Sequence, residues 1–141
     1  MIQILTGIQN TSAALDAEHS RLDVISQNIA NAQTTRDVDG KPYQRRVVVF
    51  ENVLNQALNG GHPDLPALRV ARVEHDPRPA IKVYSPGNPE ADAHGMVQMP
   101  NVNIQEEMAD MISASRAFEA NLAVVKNSHS MAMQTLAMSR H

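Results

Sequence analysis

The last third of the sequence carries an apolar repeat that constrains the fold more than any other feature. From Ile104 to Leu136, mostly apolar residues recur at alternating spacings of four and three over almost five heptads. This pattern is typical of a long helix whose apolar seam packs against other helices. The seam consists of Ile104, Met108, Met111, Ser115, Phe118, Leu122, Val125, His129, Ala132 and Leu136.

The length of this helix exceeds what one small globule covers. A helix over residues 104–138 is about 52 Å long at about 1.5 Å per residue. A compact globule of 141 residues is only about 37 Å across. We therefore expect part of the seam to be covered by other protein chains. The sequence places Asn101 or Asn103 at the helix N-cap.

The N-terminal segment has the same alternation and predicts a second heptad helix. A carboxylate in an apolar seam needs a basic partner, a hydrogen bond or a wet position, and we expect Glu18 at the solvent-exposed edge. The seam consists of Ile4, Ile8, Thr11, Leu15, Glu18, Leu22, Ile25, Ile29 and Ala32.

The middle of the chain is predicted to be β-rich, since all eight prolines and five of the six glycines lie there. Residues 43–50, 68–75 and 80–84 are strand candidates rich in valine or alternating in polarity. Residues 51–58 predict two helical turns, and residues 85–95 predict an irregular loop.

The predicted fold class is α+β: two long heptad helices form a coiled-coil-like α domain, with a small β-rich domain inserted between them. The corresponding boundaries are 1–33 for the N-terminal helix, 34–102 for the insert and 103–141 for the C-terminal helix.

Composition excludes several kinds of partner and chemistry. A net charge of −3 offers no positive field for nucleic acid or anionic lipid. The sequence has no cysteine, which excludes disulfides and Cys-based metal sites. Only four residues are aromatic while 18 are alanine, so large side chains contribute little to a core. Residues 1–15 lack the pattern of a secretory signal, so if the chain leaves the cytoplasm we expect another route to carry it.

No catalytic or metal-binding pattern is present in the sequence. The six histidines show no ligand spacing, and neither glycine-containing acidic loop has the glutamate that a calcium loop needs at position twelve. Glu106 and Glu107 are adjacent and are interpreted as helix-start charges rather than an acid/base pair. Arg45 and Arg46 are interpreted as residues of a solvated strand, facing opposite sides. We predict no enzymatic activity, no cofactor and no metal.

Five segments of the chain resemble the flagellar basal-body rod proteins, and the family of rod protein C in particular. The asparagine-rich segment at residues 28–35 resembles the end of the N-terminal helix in flagellar rod and hook proteins. The segment at residues 84–95 resembles the loop that this family places before a valine. Residues 99–103 and 111–121, with Glu106-Glu107-Met108 between them, resemble the C-terminal signature.

The resemblance implies a structural subunit of the proximal rod that polymerises through its terminal helices. Such a rod is the axial drive shaft that transmits torque and encloses the export channel, in the periplasmic part of the flagellum basal body. The terminal helices would form the inner rod domain and the β-rich insert the outer domain. Implied partners are other copies, other rod proteins, basal-body ring proteins and the flagellar type III export apparatus. Neither nucleic acid binding nor direct membrane insertion is implied, nor is a cleaved signal peptide.

The predicted assembly interface combines both seams with the asparagine-rich segment. Asn31 either caps the first helix in a left-handed conformation or hydrogen-bonds to the C-terminal helix, and the sequence does not separate the two. The interface comprises Ile4, Ile8, Leu15, Leu22, Ile25, Asn28, Ile29, Asn31, Thr34, Ile104, Met108, Met111, Ser115, Phe118, Asn121, Leu122, Val125 and Leu136.

Two other functions compete with a rod subunit. The first is a soluble coiled-coil adaptor or export chaperone whose helices pair within a stable dimer. The second is an enzyme of the periplasmic wall, which no acid/base pair supports. A rod subunit is expected to be a weakly helical monomer when dilute, because its seams are uncovered.

Overall fold

The computed structural model describes residues 2–53 and 67–138, and it shows the α+β architecture that the sequence predicts. The helices are α1 (Ile2–Ala30) and α2 (Ile104–Met138), and the strands between them are β1 (Arg46–Val53), β2 (Ala67–His75), β3 (Ile81–Tyr84) and β4 (Met96–Met99).

The two helices pack side by side and antiparallel. Asn28 of α1 contacts Glu107 of α2, and Arg21, two turns earlier in α1, contacts Asp110, which lies later in α2. Helix α2 has 35 residues, as its heptads predict. Its N-cap is Asn103, whose Oδ1 accepts a hydrogen bond from the backbone N–H of Gln105 at 3.0 Å.

The most buried residues lie beside the predicted seams rather than only on them. In α1, Ile25 lies on the seam, but Ala17 and Val24 are buried beside it. In α2, Glu107 and Ala114 are fully buried, and neither is a seam residue. Two of the four buried residues that lie beside the seams, Ala17 and Ala114, have small side chains, while the larger seam residues Phe118 and Leu122 are only half-buried. Where the chain is described, the buried core contains few large side chains, as the composition predicts.

The insert consists of two antiparallel strand pairs. Strand β1 pairs with β2 and packs against α1, while β3 pairs with β4. All three predicted strands are present, but the first begins at Arg46 rather than at Tyr43. Strand β4 was not predicted because its sequence, MVQM, is short and follows a proline-rich loop. The helical turns predicted for 51–58 are wrong at residues 51–53, where β1 continues, and the remaining five residues lie outside the described part.

Residues 85–95 form the predicted irregular loop between β3 and β4. Its last residue, Gly95, has a positive φ of 75°, a conformation that residues with a Cβ rarely adopt. A Cβ at this position would also lie 3.0 Å from Cε2 of Tyr84 and 3.1 Å from Cβ of Pro86. The loop therefore requires glycine for both backbone conformation and space.

Candidate assembly interface and buried junction

The structure divides the predicted interface residues into three groups by exposure. Two are buried, namely Ile25 and Asn28. Eleven are half-buried: Leu15, Leu22, Ile29, Asn31, Thr34, Met111, Ser115, Phe118, Asn121, Leu122 and Val125. Three are exposed: Ile104, Met108 and Leu136. The side chains of Ile4 and Ile8 lie outside the description.

Helix α2 leaves large apolar side chains in solvent along its length. Near its start, Met108 and Ile112 are each 56% exposed. Toward its end, Met131 is 65% and Leu136 55% exposed, although α1 packs against the same helix. The helix pair of one chain therefore covers only one side of α2.

A cluster of polar side chains is buried where the end of α1, the start of α2 and the base of the insert meet. We call it the junction, and it comprises Asn28, Tyr43, Arg45, Asp76, Asn101 and Glu107. All but Arg45 are less than 9% exposed, and the Arg45 side chain is 11% exposed.

Asn28 uses every hydrogen-bonding position of its amide group at the junction. Its Oδ1 accepts from the hydroxyl of Tyr43 at 2.9 Å and from the backbone N–H of Arg46 at 3.0 Å. Its Nδ2 donates to the backbone carbonyl of Arg46 and to Oε2 of Glu107, both at 2.9 Å. One side chain thus links α1, β1 and α2.

Arg45 pairs with three carboxylates, two from α2 and one from Asp76, the residue that follows β2. Its Nε donates to Oε1 of Glu107 at 2.6 Å, Nη1 to Asp76 at 3.2 Å and Nη2 to Asp110 at 3.4 Å. Burial lowers the pKa of Arg45, but the hydrogen bond and charge of Glu107 outweigh it, so the pKa is raised overall. The predicted solvated position of Arg45 is therefore wrong.

The error has a physical reason: Arg45 precedes β1 rather than lying in it, so strand alternation does not decide its orientation. Glu107 lies in the first turn of α2 as predicted, but the sequence did not predict that its carboxylate is buried. The carboxylate is 0% exposed and serves as the principal partner of Arg45. Glu106 does stay half-exposed, paired with Arg78 at 3.2 Å.

Asp76 and Asn101 form the hydrogen bonds that link the segment after β2 to the segments before β1 and α2. The hydrogen bonds from the side chain and backbone of Arg78, with a smaller contribution from Arg45, lower the pKa of Asp76 to about 2. Asn101 accepts from the backbone N–H of Arg45 at 2.7 Å and donates to the carbonyl of Arg78 at 2.7 Å. Asn101 is thus a junction residue, not the helix cap.

Comparison with known proteins decides the family. Residues 8–36 match the family described as flagella basal body rod protein, and residues 93–138 match flagellar basal body rod FlgEFG protein C-terminal. The flagellar basal-body rod protein FlgC of Borreliella burgdorferi is 41% identical over 148 aligned positions, covering 96% of this chain and 97% of that protein. FlgC of Yersinia enterocolitica is 40% identical, with 91% and 92% covered. FlgC of Bacillus subtilis is 34% identical, with 92% and 94% covered.

The chain belongs to the FlgC family of flagellar basal-body rod proteins. Of the two matched regions, residues 8–36 include Asn28, and residues 93–138 include Asn101 and Glu107. The junction is thus formed in part by the two regions that match flagellar rod families, and in part by Tyr43, Arg45 and Asp76 of the segment between them.

The FlgC-type asparagine segment makes local contacts at the end of α1. Asn31 donates from Nδ2 to the carbonyl of Gln27 at 2.9 Å, and its Oδ1 accepts from Thr34 Oγ1 at 3.2 Å. Its φ is not positive. Asn31 therefore caps the helix through its side chain, and both predicted arrangements, the left-handed cap and the bond to α2, are wrong.

Glu18 is more enclosed than the exposed seam edge that the sequence predicts. Its side chain is 14% exposed, and Oε2 lies 3.9 Å from Nη1 of Arg21. Arg21 also reaches Asp110 of α2 at 3.6 Å. Charge pairs therefore continue from the junction along the helix contact for about two turns of α1.

Within residues 2–53 and 67–138, no three His, Asp or Glu side chains are grouped so as to hold a metal ion. Over the same residues, neither helix has an apolar stretch long enough to cross a membrane.

Sequence reasoning missed Arg45, Tyr43, Asp76 and Glu107 as structural residues. The available indication was a polar residue adjoining the apolar seam in each helix, Asn28 before Ile29 and Glu107 before Met108. Polar residues that are buried where two helices pack together are expected to pair.

Proposed function

We propose that this FlgC-family chain is a structural subunit of the proximal flagellar rod that polymerises through α1 and α2, with the β-rich insert as its outer domain. The helices would then form the inner wall around the export channel in the periplasm. Other copies, other rod proteins, basal-body ring proteins and the export apparatus are the proposed partners.

One observation carries this proposal: α2 keeps its apolar side chains exposed on the side that α1 does not cover. Among them are Met108 and Ile112 near its start and Met131 near its end. Fully burying one such side chain contributes about 1.5 to 3 kcal/mol. A contact between helices of neighbouring subunits realises this gain, since heptad spacing suits a nearly parallel helix partner.

The test places a charge at half-buried seam positions, Leu22→Asp in α1 and Leu122→Asp in α2. Each change buries a carboxylate in the assembled wall, which is strongly unfavourable. We expect export to continue and both rod assembly and swimming to be lost. Assembly is measured by electron microscopy of isolated basal bodies, and export by immunoblotting of the periplasmic fraction.

Controls place the same charge on exposed positions that are already polar, Ser26→Asp in α1 and Asn127→Asp in α2. These variants are expected to assemble and swim. Normal rods in both leucine variants would contradict the proposed interface. Loss of export would instead indicate a damaged subunit, and the helical content of the purified variants identifies that case.

A further inference from the structure

The contact between α1 and α2 has a polar pair at its most buried point. Asn28 is 1% exposed and Glu107 is 0% exposed. Of the apolar residues that follow them in sequence, Ile29 is half-buried and Met108 is exposed. Apolar residues of similar volume at such positions are often as stabilising as a buried polar pair, or more so. A buried polar residue in the contact between two helices can instead specify a unique register.

We propose that Asn28 and Glu107 form a register lock, which specifies the turn of α2 that lies against the end of α1. The apolar seams stabilise helix contact in several registers, and this pair selects one. The inference concerns pairing within a single chain, so it goes beyond the proposed role in the rod and is independent of it.

The seams by themselves do not define the register well. Because they repeat every seven residues, a slip of one heptad, about 10 Å along the axis at about 1.5 Å per residue, again places apolar residues opposite apolar residues. The five methionines of the C-terminal segment add tolerance, since their side chains adapt to different neighbours.

The polar pair, in contrast, fits only one register. A slip of one heptad replaces Glu107 by Ala114 or by Pro100 opposite Asn28. Neither Ala114 nor Pro100 has a side chain that can accept the hydrogen bond from Nδ2 of Asn28. Since Asn28 is only 1% exposed, this donor would lose its partner in a buried position. The same slip separates Glu107 from Arg45, leaving a buried carboxylate and a guanidinium without their shortest contact, 2.6 Å.

The register is measured as a distance between spin labels on the full chain. The sequence contains no cysteine, so the changes Ser26→Cys in α1 and Ala120→Cys in α2 introduce two specific attachment points, both exposed. Residue 120 lies 13 positions beyond Glu107, so the labels are offset along the helix axes. A slip of one heptad moves α2 by about 10 Å along its axis. Because the labels are already offset, this movement changes the distance between them by several ångströms.

We expect one narrow distance distribution by pulsed electron paramagnetic resonance when Asn28 and Glu107 are intact. With Asn28→Leu and Glu107→Leu together, helicity is expected to persist while a second distance is populated. The matched control is Ile25→Ala, which removes a buried apolar side chain, 5% exposed, from the same helix. This control is expected to lower the urea midpoint and keep the single distance.

An unchanged single distance in the double leucine variant would overturn the proposal, because the apolar seams or the Arg21–Asp110 pair would then set the register. A second distance in Ile25→Ala would also overturn it, since any loss of stability would then suffice. If the double variant does not fold, Glu107→Leu alone decides: a second distance supports the lock, and a single distance refutes it. Absence of a defined distance with both residues intact would show that the pair does not hold the helices within one chain.

Discussion

Replacement of Arg45 by methionine tests the energetics of the junction most sharply. The change keeps an unbranched aliphatic stem and removes the charge that pairs with Glu107, whose carboxylate is 0% exposed and retains only the hydrogen bond from the amide of Asn28. Asp76 and Asp110 each keep another arginine, Arg78 and Arg21 respectively. The loss of stability in Arg45→Met therefore comes mainly from the unpaired carboxylate of Glu107.

Breaking a buried ion pair by removing one partner costs about 3 to 5 kcal/mol. We expect Arg45→Met to lower the free energy of unfolding by an amount in this range. Adding Glu107→Leu removes the stranded charge, so the double variant is expected to be more stable than Arg45→Met alone. The two changes are thus strongly non-additive. Arg72→Met, which breaks an exposed pair with Glu74, is the control and should cost less than about 1 kcal/mol.

The assay uses urea unfolding followed by tyrosine fluorescence. The sequence has two tyrosines and no tryptophan, and Tyr84 is 69% exposed while Tyr43 is 7% exposed at the junction. In a Tyr84→Phe background, Tyr43 reports the junction alone. A loss below about 1 kcal/mol in Arg45→Met, or a double variant that shows the sum of both single losses, would refute the assigned role of the ion pair.

Two further predictions concern acid stability and the 85–95 loop. The pKa of Asp76 is about 2 in the folded chain against an ordinary value of 3.8, so its ionisation stabilises the fold above about pH 4, and this contribution is lost as the pH falls toward 2. Urea midpoints measured from pH 6 to pH 2 should therefore fall more steeply than those of Asp76→Asn, and parallel curves would contradict the assignment. Gly95→Ala should destabilise the chain by about 1 kcal/mol or more, because φ is positive and the new Cβ meets Tyr84. Gly87→Ala is the control, since nothing lies within 4 Å of its added Cβ, and equal thermal midpoints for the two variants would refute this account.

The sequence predicted the elements with strong periodicity and missed the contacts between distant segments. The heptads of residues 104–136 predicted α2 correctly because a helical repeat is a local property of the chain. Strand β4, four residues long, has too few residues for such a pattern. The helical turns predicted at 51–53 are wrong because pairing with β2 extends β1 to Val53.

The junction illustrates why interactions across the chain escape sequence reasoning. Asn28 and Glu107 are 79 positions apart, and Arg45 becomes buried only because α1, α2 and the end of β2 enclose it. A carboxylate in the first turn of a helix is ordinarily well placed in solvent, and that local rule predicted Glu106 and Glu107 alike. Tertiary packing separates them, burying Glu107 and leaving Glu106 half-exposed.

Hydrogen exchange along the two helices of the isolated, dilute chain tests the central claim most directly. The claim is that one chain leaves the outer parts of its helices uncovered, while the junction is satisfied internally. We expect slow exchange near the junction, at residues 17–30 and 104–114, and fast exchange toward residues 2–13 and 119–138. Assembled rods should protect all four segments. Uniformly slow exchange along both helices, in a monomer or a concentration-independent dimer, would contradict the account.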